Sequence, residues 1–158
     1  MTDPPRTRPA LDIADLIAPD RVLLSFGASD KRQLLRDLAQ RAARQLGLAA
    51  QPVIDALLAR ETLGSTGVGQ GIALPHSRLA GLDHFFGLFA RLARPIEFDA
   101  IDHRPIDLVF LLLTPERPGS EHLAALAAIS RRLREPAVAA RLRAAKSAPD
   151  LYAALTEP

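Results

Sequence analysis

The chain has 158 residues, 48% apolar, 24% charged and only 4% aromatic, a profile that suits one globular domain with a sizeable core. Its 20 basic side chains, mostly arginine, stand against 18 acidic ones for a formal charge of +2, a balance that gives little reason to expect a nucleic-acid partner. Cysteine is absent, which excludes disulfides, thiolate metal sites and a cysteine nucleophile, and leaves histidine, carboxylates, hydroxyls and arginine for chemistry.

In chain order, "MTDPPRTRPA" (1–10) carries basic residues and prolines without an apolar stretch and reads as a flexible N-terminal leader ahead of a single domain, 11–158. No window approaches the length of a membrane span, so a soluble, cytoplasmic protein is expected. "LDIADLIAPD" predicts one short helix ended by Pro19, and "RVLLSF" predicts a buried strand closed by Gly27. In "SDKRQLLRDLAQRAARQLG", Leu34, Leu35, Leu38, Ala42 and Leu46 recur at helical spacing, with Ser29 as the expected N-cap and Gly47 as the stop. A second helix is expected to open at Pro52 in "PVIDALLARE", burying Val53, Ile54, Leu57 and Leu58, and to be ended by Gly64.

Strands are expected at "IALPH", at "HFFGLFARL" and, buried on both faces, in the nearly unbroken apolar run "PIDLVFLLLTP". A helix capped by Ser120 follows, with Leu123, Leu126, Ile129 and Leu133 inward, and "AVAARLRAAK" and "PDLYAALT" close the chain as two short helices. Helices before and after a central group of strands predict a three-layer α/β/α sandwich with a mixed sheet.

The chemistry concentrates in "ARETLGSTGVGQGIALPHS". Glycines admit positive φ and close backbone approach, so Ser65, Thr66, Gly67, Gly69 and Gly71 are expected to form a nest whose N–H groups hold an anion. The run fails as a nucleotide P-loop, because Gln70 and Gly71 stand where lysine and a hydroxyl residue belong, and as a dinucleotide fingerprint, because it precedes a strand. What remains is a nest beside His76, an imidazole competent to attack phosphorus, with Arg60 as the nearest guanidinium to stabilise charge. The same residues admit plainer roles: a simple turn, a structural histidine after a proline, an arginine at a helix C-terminus. His122, in the first turn of its helix, is expected neutral and available as a hydrogen-bond partner, or else a surface residue. His84 and His103 are read as surface residues, and no histidine pair has the spacing of a local zinc site.

"RETLGSTGVGQGIALPHSRL", "PIEFDAIDHRPIDLVFLLLTPE" and "EHLAALAAISRRL" together resemble the enzyme IIA components of the bacterial phosphoenolpyruvate-dependent phosphotransferase system, fructose/mannitol/nitrogen type, and most of all the nitrogen-type members. The resemblance implies the α/β/α fold, phosphorylation of His76 at Nε2 by an HPr-like phosphocarrier, a supporting role for His122 and Arg60, regulatory target proteins, and no metal or cofactor. Gln70 stands where many members carry Asn, and Ser77 where many carry Gly. A sugar-type role, with phosphate passed to an enzyme IIB domain, and a non-catalytic anion- or protein-binding module remain alternatives.

Overall fold

The computed structural model describes residues 11–116 and 119–158; the expected leader lies outside them. Two 3₁₀ turns, Ile13–Asp15 and Pro19–Arg21, replace the single expected helix, and Pro19 opens the second turn where it was expected to end the first. Proline's fixed φ suits the first helical position, which explains the reversal. Strand β1 (Val22–Phe26) leads into α1 (Lys31–Leu46) and α2 (Ala50–Thr62). Four strands follow, β2 (Gly67–Gly69), β3 (Ile72–Ala73), β4 (His76–Leu79) and β5 (Phe86–Ile96), before β6 (Ile106–Pro115). Helices α3 (Glu121–Arg134), α4 (Pro136–Ala144) and α5 (Ala148–Thr156) complete the chain.

The strands form one mixed sheet in the order β1-β5-β6-β3-β2, with β4 also paired to β6 beyond the end of β3. β6 is its axis. It runs antiparallel to β5 and parallel to both β3 and β4. Alternation along β6 divides its side chains between two cores: Val109, Leu111 and Leu113 pack with α1 and α2, while Leu108, Phe110 and Leu112 pack with α3, α4 and α5. Each face of the sheet is therefore covered by helices, the expected three-layer sandwich.

Local details at the element ends differ from expectation. Asp30, not Ser29, caps α1, accepting from the Gln33 N–H at 2.8 Å, while the Ser29 hydroxyl donates to the Gln33 side chain. Gly47 ends α1 in the left-handed region at φ 69°. α2 begins at Ala50, ahead of Pro52, and its carboxyl end turns at Leu63 before Gly64. β1 is an edge strand and only partly buried, in contrast to the buried strand expected.

The largest departure concerns α3. Leu123 is 68% exposed, and the buried stripe is Ala125, Ile129 and Leu133 with Leu126 half-buried. The helix is rolled so that His122, not Leu123, faces the sheet. Ser120 precedes it without a side-chain capping bond.

Candidate phosphoryl-transfer site

β4 has a strand neighbour on one side only, so its open edge is reachable from both helical layers. In the parallel pairing of β4 with β6, His76 lies opposite Leu112 and Arg78 opposite Thr114. Leu112 belongs to the core shared with α3, so paired positions on this face point toward His122. The imidazoles of His76 and His122 stand 5.4 Å apart between centroids and are tilted by 59°. From the opposite layer, Arg60 in the last turn of α2 reaches past the strand edge and donates its Nε–H to His76 Nε2 at 3.2 Å. A second guanidinium nitrogen of Arg60 is held by the Gly64 carbonyl at 3.0 Å.

These contacts define the protonation of His76. Its Nδ1 lies 2.7 Å from the Leu74 carbonyl oxygen, which can only accept, so Nδ1 carries the proton. A guanidinium can only donate, so Nε2 presents its lone pair. The ring is a neutral imidazole with a bare Nε2. Burial, the largest influence, and the Arg60 charge hold His76 below the ordinary histidine value of 6.5, while the Leu74 carbonyl and Glu61 act in the opposite direction. His122 is also held below its ordinary value, first by burial and then by His76, Arg78 and Arg60. Two imidazoles are thus kept neutral beside two arginines, a polarity suited to an anion arriving from outside.

The glycine run does not gather into the expected nest. Gly67–Gly69 and Ile72–Ala73 form a β-hairpin whose turn, Gln70 and Gly71, has φ of 59° and 78°. β3 pairs with β6 at Leu108, whereas His76 pairs at Leu112, a separation of roughly 13 Å at strand spacing. The hairpin turn lies farther still, against Asp102, Asp107 and Arg143. Three of its backbone donors are engaged within the protein: Thr66 N–H with Glu61 at 2.8 Å, Gly67 N–H with Ser65 Oγ at 3.1 Å, and Gln70 N–H with Asp102 at 2.9 Å. The Ser65 hydroxyl donates to the Phe98 carbonyl, and the Thr66 hydroxyl to Glu61, which also pairs with Lys31 at 2.8 Å. Thr66 therefore braces the end of α2, Ser65 and Gly67 tie the run to the Phe98–Ile101 segment, and Gly69 and Gly71 belong to a distant turn.

Structure thus brings together His76, His122 and Arg60 and separates them from Gly69 and Gly71. It adds residues the sequence reading did not single out: the Leu74 carbonyl, Arg78, Glu61, and Thr114, whose Oγ1 is 2.6 Å from His122 Nδ1. Thr114 had a visible signal, since it is the polar residue ending the apolar run of β6. His84 and His103 are exposed, and His103 sits in the left-handed region at φ 59°. Among the described residues no group of three or more His, Asp or Glu side chains could hold a metal ion, and no helix is long and apolar enough to cross a membrane.

The sandwich is that of an enzyme IIA domain: residues 15–157 match the family described as "Phosphoenolpyruvate-dependent sugar phosphotransferase system, EIIA 2", and the chain belongs to it. Within that family of phosphotransfer components, relatives at 40–47% identity include several nitrogen regulatory proteins. The nitrogen regulatory protein of Bradyrhizobium diazoefficiens is 47% identical over 148 residues, covering 94% of this chain and 97% of its own length. The crystal structure of nitrogen regulatory protein IIA-Ntr from Neisseria meningitidis superposes with a TM-score of 0.86 at 35% identity, covering 91% of this chain and 99% of that one. The Escherichia coli mannitol enzyme IIA, solved in complex with phosphorylated enzyme IIB, shares the fold with a TM-score of 0.74 at 20% identity, covering 89% of this chain and 98% of that one.

Proposed function

We propose that residues 11–158 act as one phosphocarrier domain, in which His76 accepts a phosphoryl group from an HPr-like protein and its phosphorylation state controls regulatory partners. The observation that carries this reading is the pair of hydrogen bonds on the His76 ring, Nδ1–H to the Leu74 carbonyl and Arg60 to Nε2, which present a neutral nucleophile beside a fixed cation. In the transfer, the Nε2 lone pair forms a bond to phosphorus as the bond from phosphorus to the donor's imidazole nitrogen breaks, that electron pair returning to the donor ring. The positive charge gained by His76 is shared with its Nδ1–H, which the Leu74 carbonyl steadies. Arg60 passes its Nε–H from the ring nitrogen to a phosphoryl oxygen, while Gly64 keeps hold of the guanidinium. Such a transfer depends on positioning and charge stabilisation more than on covalent help from the protein.

A phosphoryl group adds a charge of about −1.5 to −2 at the rim of α2 and α3, enough to make or break a protein interface. The nitrogen regulatory relatives support a regulatory role in the cytoplasm over handing phosphate to an enzyme IIB sugar component. Incubating the chain with phosphoenolpyruvate, enzyme I and its phosphocarrier, followed by intact mass measurement, is expected to show one acid-labile phosphoryl adduct. No adduct on the wild-type chain would leave only the binding-module alternative. Passage of the adduct to an enzyme IIB domain as fast as it is acquired would favour the sugar-type role.

A further inference from the structure

We propose that Thr114 is a positioning residue that holds His122 in its Nε2–H tautomer, so that His122 donates a hydrogen bond to the phosphoryl group on His76; the donation rests on the phosphocarrier reading. Thr114 closes the apolar run of β6 and is 1% exposed, a place where valine would fit the same space without a hydroxyl to satisfy. Among the described residues its Oγ1 has one hydrogen-bond partner, His122 Nδ1 at 2.6 Å. That contact can be made in two ways. If Nδ1 were protonated and donated to Oγ1, the hydroxyl hydrogen would be left in a buried site without an acceptor, the costly outcome for a polar group. If Nδ1 is bare, the hydroxyl donates to it and both groups are satisfied.

The remaining proton then sits on Nε2. A phosphoryl group carried by His76 brings its oxygens within reach of a ring centred 5.4 Å away, and an Nε2–H there donates to them. The opposite tautomer would turn a lone pair toward a dianion. Among the described residues, Arg60 from α2, His76 and Arg78 from β4, Asp83 and His84 from the segment after β4, and Glu121 of α3 itself are the titratable and charged groups around His122. The arginines discourage a third positive charge, so the ring stays neutral and the choice between donor and acceptor falls to Thr114. A threonine hydroxyl donates and accepts, which also lets it follow the ring should His122 gain a proton.

The test uses the full chain labelled with ¹⁵N, with long-range ¹H–¹⁵N spectra of the imidazoles for the wild type, Thr114→Ser and Thr114→Val, and transfer kinetics from the phosphorylated carrier for each. Wild type and Thr114→Ser are expected to show His122 protonated at Nε2 with Nδ1 bare. Thr114→Val is expected to populate the Nδ1–H form and to slow transfer about tenfold in kcat with KM for the carrier unchanged, as for the loss of one hydrogen bond made to the transferring group. A wild-type spectrum with the proton on Nδ1, or an unchanged tautomer in folded Thr114→Val, would overturn the assignment. The wild-type spectrum decides this by itself, so a poorly folding valine variant removes nothing. A wild type that takes no phosphoryl group would defeat the donation to phosphate and the phosphocarrier reading, with the tautomer still judged by its spectrum.

Discussion

The stretch from Ser65 to His76 serves two ends of the molecule that differ in almost every physical respect. At the hairpin end, Gly67 packs where an added Cβ would come within 2.8 Å of Ala100, and Gln70, Asp99 and His103 all adopt positive φ in two loops tied together through Asp102 and Gln70. The backbone N–H groups of Gly67 and Gln70 there are taken up by side chains of the protein itself. At the histidine end a lone pair, a guanidinium and two neutral imidazoles meet at an open strand edge. The comparison teaches that glycine in this run serves close packing, and that the anion-facing polarity comes from side chains gathered out of both helical layers.

The histidine end depends most heavily on His76 itself. His76→Ala is expected to abolish the phosphoryl adduct in intact mass measurements; an adduct of undiminished size would move the acceptor elsewhere. Next in size is the removal of a supporting side chain. Arg60→Ala or His122→Ala is expected to slow transfer by about two orders of magnitude, the scale for losing one preorganised stabilising group, while His76 still becomes modified in long incubations. Complete and permanent loss of modification in a folded His122→Ala protein would make His122 an acceptor and not a supporting group.

At the other end the expected effect is on stability alone. Gly67→Ala forces a methyl against the Ala100 side chain and backbone, and is expected to cost about 1–3 kcal/mol in denaturant unfolding, the usual range for overpacking. The rate of transfer per folded molecule should stay at the wild-type value; a slowed rate with unchanged stability would restore the glycine run to the site.

The smallest expected effect is a displaced titration. Because burial and Arg60 disfavour the imidazolium, His76 should remain reactive on the acid side of its ordinary 6.5, losing activity only when pH falls through its own lower value. Removing the nearby positive charge in Arg60→Gln makes protonation easier, so the His76 titration followed by NMR should move up. Glu61→Gln removes a negative charge and should move it down. Equal displacement in the same direction by both variants would contradict the charge assignment.

How much of this was legible in the sequence depended on whether the cause was local. Helical spacing of Leu34, Leu35 and Leu38, the left-handed stop at Gly47 and the unbroken apolar run of β6 are properties of consecutive residues, and they fixed the elements and the layered fold. The positions of His76, Arg60 and His122 stood out as chemistry-bearing residues, and the family resemblance grouped them. Tertiary structure decided the rest: that α3 rolls to bury His122 and expose Leu123, that the glycines turn a hairpin against Ala100 and Asp102, and that Thr114 meets His122. These outcomes turn on strand register and on which groups from distant segments satisfy one another's hydrogen bonds. Local pattern cannot report them, because the partner that lowers the energy of each arrangement lies on another element of the chain.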